Sequence, residues 1–368
     1  MHPATPFWRE LDRFHLRFEV TMQASATGKM TRRAALAGIA LMTGASLAQA
    51  QTPAEFYKGK QIQMMVYSGA GSTYDTYARL LSRHMVRHIP GSPNIVVQNM
   101  IGAGGLKLVD YLNRIAPRDG TVFGTVSRGN PFDPIMGKKD IDFDPLKLTW
   151  IGSMNREVAV ALSWGTSPVK TFEDVRKIEL LVPGTGAGAD SEIIPRAYNN
   201  LAGTKFKIVS GYRDTSEASL QLETGELQGI AYWSMSAIMS LKPDWVQNKK
   251  INILFHTGVA DVPDLPGVPR IRELVKDETD RKALEFLLAR EVMGRPFVAP
   301  PGIPADRAKA LRDAFDATLK DPEFLKEAAR GNVEVSLVTA EEINKLLRDA
   351  AALPPAVIER ARQVLERN

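Results

Sequence analysis

The sequence predicts an α/β protein of two lobes facing one cleft, and three observations carry that expectation. First, an apolar strand runs into a glycine-rich turn that opens a helix three times: Ile62–Tyr67 into Ser68-Gly-Ala-Gly-Ser-Thr73, Ile95–Asn99 into Gly102-Ala-Gly-Gly105, and Ile178–Val182 into Gly184-Thr-Gly-Ala-Gly188. Second, strands and helices alternate in two units separated near residues 155–165. Third, the apolar stretch Val292–Pro296 can carry the chain back, which gives two crossings between the units. A strand-to-helix turn of this kind leaves backbone N–H groups unpaired, and the helix N-terminus adds partial positive charge. Glycine alone would only permit a tight turn. Three such turns at strand ends instead point to an anion-binding cleft between lobes.

The elements follow in order. Strand Gln61–Tyr67 leads to a helix near Tyr74–His88, and strand Asn94–Asn99 to a helix near Gly105–Ile115. Strands Thr121–Val126, Leu148–Gly152 and Val158–Ser163 come next. Thr171-Phe-Glu-Asp174 reads as a capping box and places a helix start. The second unit offers strands Ile178–Val182, Lys205–Ser210, Leu227–Trp233 and Ile251–Phe255, with helices Ile193–Leu201 and Glu217–Thr224 between them. Val259–Pro269 is proline-rich loop. Beyond Phe297-Val-Ala299 the chain turns helical, with starts at Pro304, Asp321-Pro322, Thr339 and Pro354. The expected division is residues 1–50 as a leader, 51–160 with 296–368 as the first lobe, and 161–295 as the second.

The leader rests on Thr31-Arg32-Arg33, the uncharged run Ala34–Ala48 and the ending Ala48-Gln49-Ala50. A basic start, a short apolar run and an A-x-A site describe a secretory signal peptide, of twin-arginine or Sec type, cleaved after Ala50. Met22 or Met30 is the expected start. Residues 1–50 hold six Lys/Arg and three Asp/Glu, so the remainder carries 41 basic against 39 acidic residues. That near balance, without a dense Lys/Arg tract, excludes nucleic acid as a partner. With no cysteine in 368 residues, disulfides, thiolate metal sites and a cysteine nucleophile are excluded too.

No catalytic constellation assembles. Of five histidines, His84 and His88 stand one helical turn apart but lack the glutamate of H-E-x-x-H, so they read as a polar helix face. His256 reads as structural. Ser167-Pro-Val-Lys170 matches S-x-x-K without a K-T-G or S-D-N partner. There is no G-x-S-x-G elbow and no P-loop. The best enzyme reading is an exported dinucleotide-dependent oxidoreductase. Gly184-Thr-Gly186-Ala-Gly-Ala189 fits G-x-G-x-x-[GA], yet Ser210 stands where an acidic residue should close the next strand. The expectation is therefore no catalytic residue, no metal and no cofactor.

The motifs from Phe56 to the C-terminus resemble the extracytoplasmic solute receptors of tripartite tricarboxylate transporters, the Bug (TctC-type) family. The resemblance lies in Phe56-Tyr-Lys-Gly-Lys-Gln-Ile62, Gly69-Ala-Gly-Ser-Thr-Tyr-Asp75 with Ala78-Arg-Leu-Leu81, and Val97-Gln-Asn99 with Gly102-Ala-Gly-Gly105. Ala116-Pro-Arg-Asp-Gly120, Gly184–Asp190, Leu265-Pro-Gly-Val-Pro269 and Phe297–Asp306 extend it along the chain. The resemblance implies a periplasmic, monomeric, type II Venus-flytrap protein that delivers a small organic carboxylate to membrane permease subunits. It implies ligand contacts from Ser68, Gly71, Ser72 and Thr73 in one lobe and Thr185, Gly186, Ala187 and Gly188 in the other. A ligand-sensing subunit of a membrane signalling system would use the same closure.

Side chains refine this reading. Arg128, after the third strand, can pair with a carboxylate, and Arg156 lies at the crossover. Tyr67, Tyr74 and Trp233 can supply stacking surfaces, whereas Trp150 and Trp164 read as core or hinge packing. Asp75, Asp190 and Glu192 oppose a citrate-like tricarboxylate, and Asp75 can cap its own helix. A monocarboxylate, an aromatic acid or an amphoteric solute fits the pattern as well.

Overall fold

Strand β1 (Gln61–Val66) shows how the sequence lays down the first sheet. Its side chains alternate in direction, so Met64 and Val66 enter one buried cluster while Met65 enters another on the opposite face. The computed structural model describes residues 51–139, 141–186, 189–258, Val262 and 265–365. Strands β1, β2 (Asn94–Asn99), β3 (Val122–Thr125), β4 (Thr149–Ser153), β10 (Pro296–Ala299) and β11 (Val338–Thr339) form a six-stranded sheet in the order β11-β4-β10-β3-β1-β2. β2 and β3 run parallel to β1, whereas β10 is antiparallel to both β3 and β4. Parallel neighbours place the loops after β1, β2 and β3 at one end of the sheet.

The second part carries β5 (Ala159–Trp164), β6 (Leu180–Gly184), β7 (Phe206–Ser210), β8 (Gly229–Ser234) and β9 (Ile251–His256). β8-β5-β9 is an antiparallel sheet, and β6-β7 is a parallel pair. The Gln228 N–H donates to the Leu181 carbonyl at 3.1 Å and joins the pair to the edge of β8. The chain leaves the six-stranded sheet between Ser153 and Ala159 and returns to it between Met293 and Pro296.

Every strand expected between residues 61 and 256 forms within two residues of its expected bounds. Helix Thr73–Met85 starts where Ser72 caps it, and buries Tyr77, Ala78, Leu80, Leu81 and Met85 at helical spacing. Thr171 and Asp174 complete the expected capping box, although the helix is only Phe172–Val175. Behind the second glycine turn, helix Leu106–Asp110 widens into a π-turn over Tyr111–Ile115.

Helix Glu278–Leu288 was not legible from the sequence, because its first turn is charged and its apolar residues cluster late, at Ala283–Leu288. Helices Pro53–Tyr57, Met235–Leu241, Pro243–Gln247 and Ile271–Leu274 also lie outside the expected elements. The last helix, Pro355–Gln363, packs on Glu278–Leu288, where Arg360 Nε meets Asp280 Oδ1 at 2.6 Å. Nearby, the Asn200 side-chain amide donates to the Val364 carbonyl at 2.7 Å. The terminal helix thus lies with elements of the second part, not on the six-stranded sheet. The leader, 1–50, lies outside the described residues. Among those described, no helix is long and apolar enough to cross a membrane.

Candidate functional site

The loops after β1, β2, β3 and β6 converge on a cavity of about 690 Å³. Six of the expected site residues line it: Ser68, Ser72 and Thr73 after β1, Arg128 after β3, Thr185 after β6, and Trp233 in β8. Gly71 and Gly186 are not among the lining residues. Ala187 and Gly188 lie outside the described residues.

The first loop is organised by its own helix. The Gly71 N–H donates to Asp75 Oδ2 at 2.9 Å, and the Asn99 side-chain amide donates to Asp75 Oδ1 at the same distance. Arg79 Nε completes the set at 2.8 Å. Burial alone would raise the Asp75 carboxyl, but Arg79, Gly71 and Asn99 outweigh it and hold it below the usual range. Gly71 has φ +80°, a conformation that favours glycine. Asp75 therefore does more than begin its helix: its carboxylate occupies the place an anionic ligand would take on the Gly71 amide.

The third loop repeats the device. The Gly186 N–H donates to Glu192 Oε1 at 3.1 Å, and Arg196 pairs with the other Glu192 oxygen at 3.0 Å. A Cβ on Gly184 would stand 2.6 Å from Glu192, so glycine makes room for that carboxylate. A pyrophosphate would have to displace Glu192, which removes the geometric support for the dinucleotide reading.

Hydroxyl pairs face the cavity in place of these amides. Ser68 and Ser72 stand 2.6 Å apart, and Thr185 and Ser191 stand 2.8 Å apart. Each pair has two O–H protons and uses one between its members, so the second is available to an acceptor. Ser191, which also accepts the Thr185 N–H at 3.0 Å, lines the cavity and was missed in the sequence because nothing local marks it.

Three arginines stand behind these loops. Arg128 is buried, approaches Asp190 with Nε at 3.4 Å, donates to Ser234 with Nη1 at 3.3 Å and lies over the Tyr232 ring at 5.2 Å. Its Nη2 makes no hydrogen bond among the described residues. Arg290 Nη1 contacts the other Asp190 oxygen at 2.6 Å. Burial would raise the Asp190 carboxyl, but Arg290 and Arg128 prevail and hold it low. Arg295 lines the cavity, pairs with Glu157 at 3.1 Å and lies over Tyr74 at 4.6 Å. A further buried carboxyl, Glu291, accepts from Tyr232 at 3.0 Å and Thr257 at 2.7 Å. Burial pushes it up to about 7, against the pull of Arg128.

The remaining sequence candidates lie elsewhere. Arg156 pairs with Glu342 at 2.5 Å and does not line the cavity. His84 and His88 face Glu327 and Asp321 on the helix Pro322–Arg330 side. Among the described residues no group of three or more His, Asp and Glu side chains is placed to hold a metal. Trp233 both lines the cavity and packs edge-on against Trp245 at 5.7 Å.

Fold and cavity together define the class: an α/β periplasmic-binding-protein fold. BugD, a periplasmic binding protein, matches with a TM-score of 0.65 at 19% identity, over 84% of this chain and 98% of its own. MatC from Rhodopseudomonas palustris, solved with bound malate, matches with a TM-score of 0.63 at 18% identity, over 83% of this chain and 99% of its own. A UPF0065 protein of Bordetella bronchiseptica is 23% identical over 319 residues, 85% of this chain and 87% of that protein. Residues 78–362 match the tripartite tricarboxylate transporter family receptor, and the chain belongs to that family.

Proposed function

We propose that this protein captures a small organic acid in the cavity and hands it to the membrane permease subunits of a tripartite tricarboxylate-type transporter. It does so as a periplasmic monomer released by cleavage after Ala50, binding and releasing without chemistry. The lobes are 51–160 with most of 296–368, and 161–295. The observation that carries this reading is the convergence of Arg128 with hydroxyl pairs from two different loops on one cavity. A carboxylate there would take charge-assisted hydrogen bonds from the guanidinium and shorter contacts from Ser68 or Ser72 and from Thr185 or Ser191. The malate bound by MatC supports an acid as the ligand. Gly71 and Gly186, both with positive φ, frame the loops that present these groups.

Thermal-shift screening of organic acids, with native mass spectrometry of the freshly purified protein, tests it. An acid at a hundred times its dissociation constant adds about 2.7 kcal/mol of stability. Turnover of a bound acid by the purified protein would overturn the receptor reading.

A further inference from the structure

We infer that Ser234, at the end of β8, is a positioning residue: from the opposite lobe it aims the Arg128 guanidinium into the cavity, so that the arginine grips an acid fully only when the lobes meet. This rests on the organic-acid reading and the lobe division above. Arg128 follows β3 in the first lobe, yet the hydrogen-bond, ion-pair and ring partners of its side chain among the described residues all belong to the second. Nε approaches Asp190 Oδ2 at 3.4 Å, Nη1 donates to Ser234 Oγ at 3.3 Å, and the flat face lies over the Tyr232 ring at 5.2 Å. A guanidinium is a rigid planar fork, so fixing two of its nitrogens fixes the third. That third nitrogen, Nη2, has no hydrogen bond among the described residues, and Arg128 lines the cavity.

The partners are themselves held in place by the second lobe. Arg290 Nη1 takes one Asp190 oxygen at 2.6 Å, which leaves the other turned to Arg128. Ser234 pairs with Ala159 in the sheet, so its backbone is fixed. The first lobe fits closely against this frame. A Cβ on Gly129 would stand 2.6 Å from Arg290 Nη1 and 2.7 Å from Asp190 Oδ1, so glycine lets the loop after β3 lie against that pair. A Cβ on Gly69 would stand 3.4 Å from Asp214 Oδ2, so loops of the two lobes meet there as well. Within this arrangement Ser234 is the partner whose loss disturbs least. It precedes helix Met235–Leu241, but its hydroxyl makes no capping hydrogen bond. The hydrogen bond of Oγ among the described residues is the one from Arg128. Removing Oγ therefore frees Nη1 and leaves the helix start as it is.

Malate, adipate and benzoate serve as probes, titrated by calorimetry and followed in stopped flow through Trp233, which lines the cavity beside Ser234. For whichever acid binds the parent most tightly, Ser234→Ala should weaken binding about tenfold, the worth of one hydrogen bond to a charged group. The loss should lie in faster dissociation, with association within about twofold of the parent, because the open protein does not yet hold the contact. Ser234→Thr keeps the hydroxyl and should bind within about threefold of the parent. In Arg128→Lys, whose single ammonium cannot span Asp190, Ser234 and the solute as the fork does, adding Ser234→Ala should cost less than about threefold. An equal cost in both backgrounds would place Ser234 on the solute itself and overturn the inference. So would an Arg128→Lys protein that binds as tightly as the parent, or a Ser234→Ala loss that lies in association; in each of these cases the organic-acid reading stands. If none of the three acids binds the folded parent, both fall.

Discussion

Asp190 Oδ1 lies 2.6 Å from Arg290 Nη1, across 100 residues of sequence, and its other oxygen faces Arg128. The pair ties the start of the helix behind the third glycine loop to the segment that returns the chain to the six-stranded sheet. Arg290 is 1% exposed, so its charge has no recourse to solvent. Asp190→Asn should therefore cost about 3–5 kcal/mol, the usual result of removing one partner from a buried pair. Urea unfolding reads this directly, and a loss below about 1 kcal/mol would show that the pair does not carry the local charge balance.

Glu291 gives the protein a pH-dependent weakness of definite sign. Its folded carboxyl is raised to about 7 from 4.5, so the folded state holds an extra proton between those values. Its contribution to stability is complete below pH 4.5 and is lost as pH rises through 7. A shift of that size corresponds to on the order of 3 kcal/mol. Glu291→Gln keeps an acceptor for Tyr232 and Thr257 but cannot ionise. The variant should melt above the parent at pH 8 and near it at pH 4.5; a melting difference that does not widen with pH contradicts the assignment.

Two glycines with positive φ separate backbone strain from contact. Gly71, at φ +80°, has nothing within 4 Å of where a Cβ would stand. Gly105, at φ +98°, would place that atom 2.6 Å from Asn130 Oδ1 and 3.0 Å from the Tyr67 ring. Gly71→Ala should cost about 1 kcal/mol, the left-handed penalty alone. Gly105→Ala should cost at least about 1 kcal/mol more, since overpacking adds to the strain. Equal melting losses for the two variants would show that Gly105 is not pinned against Tyr67.

Asp75 accepts three donors in a buried setting. Asp75→Ala leaves the Gly71 N–H and the Asn99 amide without their partner, at about 2 kcal/mol. The bared amide should also bind sulfate or phosphate, so added sulfate should raise the melting temperature of the variant more than that of the parent. An equal sulfate response in both proteins would count against Asp75 as the occupant of that amide.

The sequence was legible where signals are local. Thr171 and Thr339 mark helix starts because capping needs only the next three residues, and the glycine turns are visible for the same reason. The charged lining was legible only in part. Arg128 and Asp190 could be named, but Arg290, Arg295 and Glu291 lie in a stretch that reads as a connection. Their partners, Asp190, Glu157, Tyr232 and Thr257, are 34 to 138 residues away, and no spacing rule reaches that far. A different cause hid the use of the loop amides, whose partners are only four and six residues away. Asp75 and Glu192 were visible as acids near the glycines, while their bonds to Gly71 and Gly186 are properties of the folded loops.

Those two internal bonds bear on life in a salty medium. A receptor whose bare main-chain cradles stood open would fill with chloride or sulfate long before a scarce nutrient arrived. Here each cradle has a permanent tenant supplied by the chain itself, so background ions find no vacancy at either glycine. The arginine still meets any oxyanion, so discrimination falls to the rings, on which an inorganic anion has no apolar body to stack.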